Sequence, residues 1–227
     1  QQPVVLGPRR RLLALGETCS LEVAPSDAVA VAGSPGDGPA LASALGATPL
    51  TLSPGTLVYV NMVKTNFEHF SDVAAATGVL AAKGLVPVPH VPASRFATAA
   101  DFSQALGDLA AAGARQLLVI GGNDLAERKC GGAVAYPSTG ALLEAEVEAM
   151  KQHGVRRVAL AGHPDGLPGF GGRAASAKTL LEKIRLLLDA GLAVAVVTQF
   201  SFDARGLLAW LRHMRCAIAE LTAGAAR

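Results

Sequence analysis

Six polar side chains stand at or beside the ends of six short apolar runs. They are Glu22 in Cys19–Val23, Asn61 in Leu57–Asn61, His90 in Leu85–His90, Asn123 in Leu117–Asn123, His163 after Val155–Gly162, and Gln199 in Leu192–Gln199. One carboxyl, two imidazoles and three amides make a set able to move protons and read a polar ligand. A Glu inside an apolar run is a candidate general acid, because burial makes a carboxyl hold its proton nearer neutral pH. An amide both donates and accepts, so Gln199 is suited to reading the edge of a heterocycle. Parallel strands joined by helices close into a (β/α) barrel, and such barrels carry their chemistry at the C-terminal ends of the strands. In that architecture the six residues ring one mouth.

The elements that must position them follow a strict alternation. Strands are expected at Cys19–Val23, Leu57–Asn61, Leu85–His90, Gln116–Ile120, Arg157–Ala161 and Ala193–Thr198. Each is continuously apolar, as strands buried on both faces are. Helices are expected over about 66–83, 99–112, 138–153, 174–190 and 204–215, with a further one over 217–226 and a short one near 40–45. Gly84, Gly113, Gly154 and Gly191 each follow a helix and precede a strand, the place of a left-handed cap. Pro87 and Pro89 are unusual in a central strand. The polar stretch Leu125–Pro137 is a lid candidate, and Gly162–Gly172 is a second long loop. The expected fold class is therefore α/β, a TIM-type (β/α) barrel with six βα units. A closed barrel needs eight strands, so the expectation is a barrel that is open, or one whose last quarter has been lost or lies outside this sequence. The division is an N-terminal extension (1–17), the barrel (18–215) and a C-terminal helical tail (216–227), with a break after Arg215.

Composition narrows the class. Of 227 residues 51% are hydrophobic, enough for a large core, and only 4% are aromatic, which favours layered aliphatic packing. Twenty basic and 18 acidic residues leave a net charge of +2 and no long basic stripe, which argues against nucleic acid as a partner. Cys19, Cys130 and Cys216 are far apart, with no Cys/His cluster at zinc spacing, so reduced thiols in an intracellular compartment are expected and no metal site. No apolar stretch reaches the roughly 20 residues of a membrane span. The chain starts at Gln1 with Arg9–Arg11 close behind. A processed organellar precursor, with the mitochondrial matrix as its destination, and a trimmed chain both account for this.

Several segments, in order and at proper spacing, resemble the methylenetetrahydrofolate reductase family. Ser20-Leu21-Glu22-Val23-Ala24-Pro25 resembles that family's Ser-Phe-Glu-Phe-Phe-Pro-Pro, and Leu85–His90 resembles its third strand, which ends Pro-His. Leu118–Asn123 is similar to its fourth strand, which ends Arg-Gly-Asp or Gly-Gly-Asp. Ala161–Pro168 is similar to its Gly-(Tyr/His)-Pro-Glu-Gly-His-Pro loop. Asp189-Ala190-Gly191 with Val197–Asp203 is close to its Asp-Ala-Gly and Thr-Gln-Phe-Phe-Phe-Asp segments. The resemblance covers about 18–215.

The resemblance implies a flavin-dependent barrel that reduces a one-carbon unit on folate, with FAD as cofactor and a reduced folate as substrate. It implies Glu22 as the acid that protonates the pterin, with Gln199 and Phe200 on the folate side. It places His90 and Asn123 by the flavin ring, Tyr136 and Ser138 on the loop over the adenosine side, and His163 and Lys183 towards the rest of the cofactor. The chain also departs from the family. Asn123 stands for an Asp, with Asp124 as a substitute if the loop shifts by one residue. Gly121 stands for an Arg, Leu167 for a His, and Leu186 and Leu187 for basic residues, while 61–65 has lost the family's Gly-rich loop. No Gly-x-Gly-x-x-Gly fingerprint or P-loop is present. The folate-side groups are thus kept and the flavin-side groups thinned. That balance leaves a second expectation open, a catalytically inactive barrel kept as an accessory subunit of a larger complex, with the mitochondrion as a candidate compartment, whose open sheet edge a partner chain covers.

Overall fold

The structure is a computed structural model, and it describes residues 20–25, 28, 40–41, 50–62, 69–122, 134–168 and 170–225. Among these the order is β1 (Leu21–Val23), β2 (Ala40–Leu41), β3 (Leu50–Thr51), β4 (Leu57–Val60), α1 (Phe70–Ala82) and β5 (Val86–Pro92). A 3₁₀ turn (Ala93–Arg95) and α2 (Ala99–Ala111) lead to β6 (Gln116–Ile120). Then come α3 (Thr139–Gln152), β7 (Arg157–Gly162), α4 (Gly172–Asp189), β8 (Ala193–Thr198) and α5 (Ala204–Ala225). The fold is α/β, with a six-stranded sheet in the order β1-β4-β5-β6-β7-β8. The pairs β1–β4, β4–β5 and β7–β8 are parallel. Every strand expected from an apolar run is present, within two residues at either end.

The four stop glycines all take positive φ, between 75° and 99°. A Cβ there would face the steric cost of the left-handed region. α2 begins with a reciprocal cap: Thr98 N–H donates to Asp101 Oδ2 (2.8 Å), and Asp101 N–H donates to Thr98 Oγ1 (3.2 Å).

By its internal packing the chain divides into two compact units, Gln1–His90 with Ala105–Gln116, and Val91–Gln104 with Leu117–Arg227. The core of the first holds Val58, Val60, Leu80 and Leu109, each at most 1% exposed. That of the second holds Phe96, Phe102, Leu142, Leu143, Leu160, Ile184 and Leu187, buried to the same degree. Burying one such side chain contributes about 1.5–3 kcal/mol.

Pro87 and Pro89 sit inside β5 without breaking its pairing to β4. Val86 N–H donates to Thr56 O at 2.9 Å. In a parallel ladder alternate residues bond the same neighbour, so Val86, Val88 and His90 point their N–H groups at β4, and the prolines remove none of these.

Three expectations are corrected. The helix near 40–45 is not formed at its start, because Ala40–Leu41 pairs antiparallel with Leu50–Thr51. Ala and Leu favour a helix locally, but so short a segment is marginal as a helix alone, and cross-strand pairing overrides its propensity. The helices expected over 204–215 and 217–226 are one, because α5 is a single helix of 22 residues. Leu207, Trp210, Met214, Ala217 and Leu221 follow one another at alternating spacings of three and four, a single stripe that carries the helix through. Glu22 is exposed rather than buried, since β1 has three residues and only β4 beside it. The described part of the 66–83 helix starts at Phe70, and most of the lid candidate Leu125–Pro137 lies outside the described residues.

Candidate functional site

In the first unit, register brings three polar side chains together. Glu22 stands opposite Tyr59 on β4, and Tyr59 stands opposite Val88 on β5. Side chains alternate along a strand, so Glu22, Tyr59, Asn61 and His90 share one face, with the fully buried Val58 and Val60 on the other. Asn61 follows the last residue of β4, and its backbone N–H donates to Val23 O at 2.9 Å. Its side-chain Nδ2 donates to Glu22 Oε1 at 3.3 Å. The Tyr59 ring meets the His90 ring edge-on, with centroids 6.3 Å apart. His90 is only 9% exposed. Burial pushes its pKa below the ordinary imidazole value, and the Glu22 charge partly offsets this. His90 Nε2 and Asn61 Oδ1 are both buried and find no hydrogen-bond partner.

In the second unit, the loop after β7 is tied to the start of α4. Leu167 N–H donates to Ser176 Oγ at 3.0 Å. Gly166 has φ +81°, and a Cβ there would lie 2.8 Å from Arg173 N, so this loop position requires glycine. The Arg173 guanidinium meets Asp165 at 3.0 Å and Asp203 at 3.4 Å, bridging the β7–α4 and β8–α5 loops. Asp203 caps α5 by accepting from Gly206 N–H at 2.9 Å. That bond is the largest cause of its lowered pKa, with Arg173 adding to it. Sequence reasoning did not find this bridge, although Asp203 three residues before Gly206 is a capping spacing.

His163 follows β7 directly and is half-buried. Burial lowers its pKa, and the positive charge of Lys183 on α4 lowers it further. Burial lowers the pKa of Lys183 as well. Both bases are pressed toward their neutral forms, and an arriving anion would relieve both. Lys183→Met is therefore expected to raise the His163 midpoint, followed by its ring-proton NMR shifts. An unmoved midpoint would show that the two do not interact.

The other candidates divide. Gln199 N–H donates to Gly162 O at 2.8 Å, which continues the β7–β8 ladder, and its side chain is exposed. Phe200 is 79% exposed and meets Phe202, 95% exposed, edge-to-face at 4.8 Å. Tyr136 is buried against Phe96 and Phe102, and its hydroxyl donates to Glu146. Burial, then Glu146, drives its pKa far up. Ser138 is the N-cap of α3, accepting from Ala141 N–H at 3.1 Å. Both side chains are thus engaged within the fold. Asn123 and Asp124 lie outside the described residues. Among the described residues no cluster of His, Cys, Asp and Glu could hold a metal ion, and no helix is long and apolar enough to cross a membrane. No protein-family model matches this chain.

Proposed function

We propose that this chain is a flavin-linked oxidoreductase of folate one-carbon chemistry, built on part of a (β/α) barrel related to methylenetetrahydrofolate reductase. The observation that carries this reading is the cluster of Glu22, Asn61 and His90. They lie on one face, at or near the C-terminal ends of three adjacent parallel strands, where (β/α) barrels carry their chemistry. The motif order described above supplies the identity of the substrate. Glu22 is a solvent-reachable carboxyl and can reload its proton from water between turnovers. Its role is to relay a proton from water to a pterin nitrogen.

Taken within its own unit, each of two groups of flavin-side residues has chemistry suited to part of such a cofactor. His90 keeps a buried, unpaired Nε2 that suits a ring edge. Lys183 and His163 suit phosphate oxygens, because an anion beside them would counter the burial that lowers both pKa values. Tyr136 and Ser138 do not add to this set, since the fold already uses them. When bound, the flavin would supply the hydride for the one-carbon unit. The chain's own residues bind, orient and deliver the proton.

The absorbance spectrum of the purified protein tests this reading. Stoichiometric flavin, or its uptake on addition of FAD, supports it, and a folate turnover assay follows. A chain that neither carries nor takes up flavin sinks it.

One observation favours a second reading, an accessory subunit in a larger assembly. Among the described residues β8 ends the strand order and its residues are half-buried or exposed, while Phe200 and Phe202 just after it and Leu208 on α5 are exposed. Apolar surface of this kind marks packing against another polypeptide. In that case the purified chain is colourless and self-associates, and replacing Phe200 and Phe202 by Ser restores a monomer in sedimentation. An unchanged sedimentation profile would count against it.

A further inference from the structure

We propose that Asn61 is a positioning residue for Glu22 and, through its own carbonyl oxygen, the acceptor for an N–H of the bound heterocycle. This rests on the flavin and folate reading above, and it assigns a role to a residue in the stretch where the chain has lost the family's Gly-rich loop.

The orientation of the Asn61 amide follows from its neighbour. An ionised carboxylate is an acceptor only, so Nδ2 must face Glu22 Oε1, at 3.3 Å, and Oδ1 must face away. The backbone holds this arrangement in place. Asn61 N–H donates to Val23 O, one residue beyond Glu22, so the main chains of β1 and β4 are joined where the side chains meet. Oδ1 is then left buried without a partner. A buried acceptor in that state carries an unrecovered desolvation cost, which a ligand donor would repay.

A second, independent observation points to a ligand at the same level. His90 is nine-tenths buried, lies one residue beyond the Val60–Pro89 pair just as Asn61 does, and its Nε2 is unpaired too. Two orphaned polar atoms on neighbouring strands, beside a carboxylate, call for a small planar molecule with an N–H at its edge. Flavins and pterins both present such an edge.

The test uses the full chain labelled with ¹⁵N. The Asn61 side-chain amide signal is assigned by its loss in Asn61→Leu, then followed between about pH 3 and pH 7, the range over which carboxyls titrate. It should move with pH in the wild type and stay flat in Glu22→Gln. A signal equally flat in both overturns the positioning role. Riboflavin and folic acid are then added separately, which tells the two ligand sources apart. Asn61→Leu should weaken binding of the responding probe by about tenfold. Equal affinity in wild type and Asn61→Leu overturns the acceptor role. If the wild type binds neither probe, the flavin and folate reading fails along with the acceptor role, and the amide titration alone decides the positioning role.

Discussion

If the chain has the folate activity proposed above, Glu22→Gln is expected to lower turnover by about 10²–10⁴-fold, the usual loss when a positioned general acid is removed. The amide matches the carboxyl in shape, and its oxygen can still accept from Asn61 Nδ2, whose bond to Glu22 Oε1 spans 3.3 Å. Only the transferable proton is lost, so the fall should appear in kcat, with KM within a few-fold of the wild type. Unchanged turnover removes Glu22 from proton delivery.

The same variant has a second readout that needs no activity. Burial lowers the His90 pKa, and the Glu22 charge pushes it partly back. Without that charge the His90 midpoint should fall further, as read from its ring protons. A histidine with a lowered folded-state pKa takes up its proton more readily in the unfolded chain. Its stability contribution is full above the unfolded value of about 6.5 and is lost as pH falls below it, until the folded group also titrates. In Glu22→Gln that acid-side loss should extend to lower pH than in the wild type. Identical His90 titrations would mean that the two groups do not interact.

Trp210→Ala is expected to cost about 3–5 kcal/mol, the range for emptying a large buried aromatic site. For a chain of this size that is a fall in Tm of roughly 6–20 °C. Trp210 is 8% exposed on α5, and the far edge of its indole lies against Gly162 at the end of β7. A Cβ at Gly162 would sit 2.8 Å from Trp210 Cη2 and 2.8 Å from Val196 Cγ1. Gly162→Ala should therefore cost about 1–3 kcal/mol by overpacking, and less once Trp210 is Ala, with the Val196 contact remaining. The cycle of two single variants and the double variant, followed by thermal unfolding, measures this. Strict additivity would mean that the indole does not press on Gly162, and that the glycine before His163 is there for some other reason.

The architecture was legible for a physical reason. Strand and helix periods are properties of the local backbone, and left-handed glycine caps are set by sterics at a single residue. The runs ending near Val60, His90, Ile120, Gly162 and Thr198, and the stops at Gly84, Gly113, Gly154 and Gly191, could therefore be read without knowing any neighbour. Local reasoning failed where a partner decides. Ala40–Leu41 is a strand only because Leu50–Thr51 lies beside it. The continuity of α5 through Arg215 depends on what its apolar stripe packs against.

The candidate site divides along the same line. Residue type and place in the strand pattern marked Glu22, Asn61, His90, His163 and Gln199. Whether each is buried, and what it touches, depends on register and packing that no single segment encodes. The apolar run around Glu22 suggested burial, but a three-residue strand with one neighbour leaves it exposed. Tyr136 and Ser138 looked available for a cofactor, but an aromatic cluster and a helix start claim them. The sequence by itself determined which chemical groups stand at the strand ends, because that depends on period and order. Only the tertiary structure decided that Asn61 holds Glu22 and that His90 beside it is left buried and unpaired, because those facts arise from the side-by-side register of β1, β4 and β5.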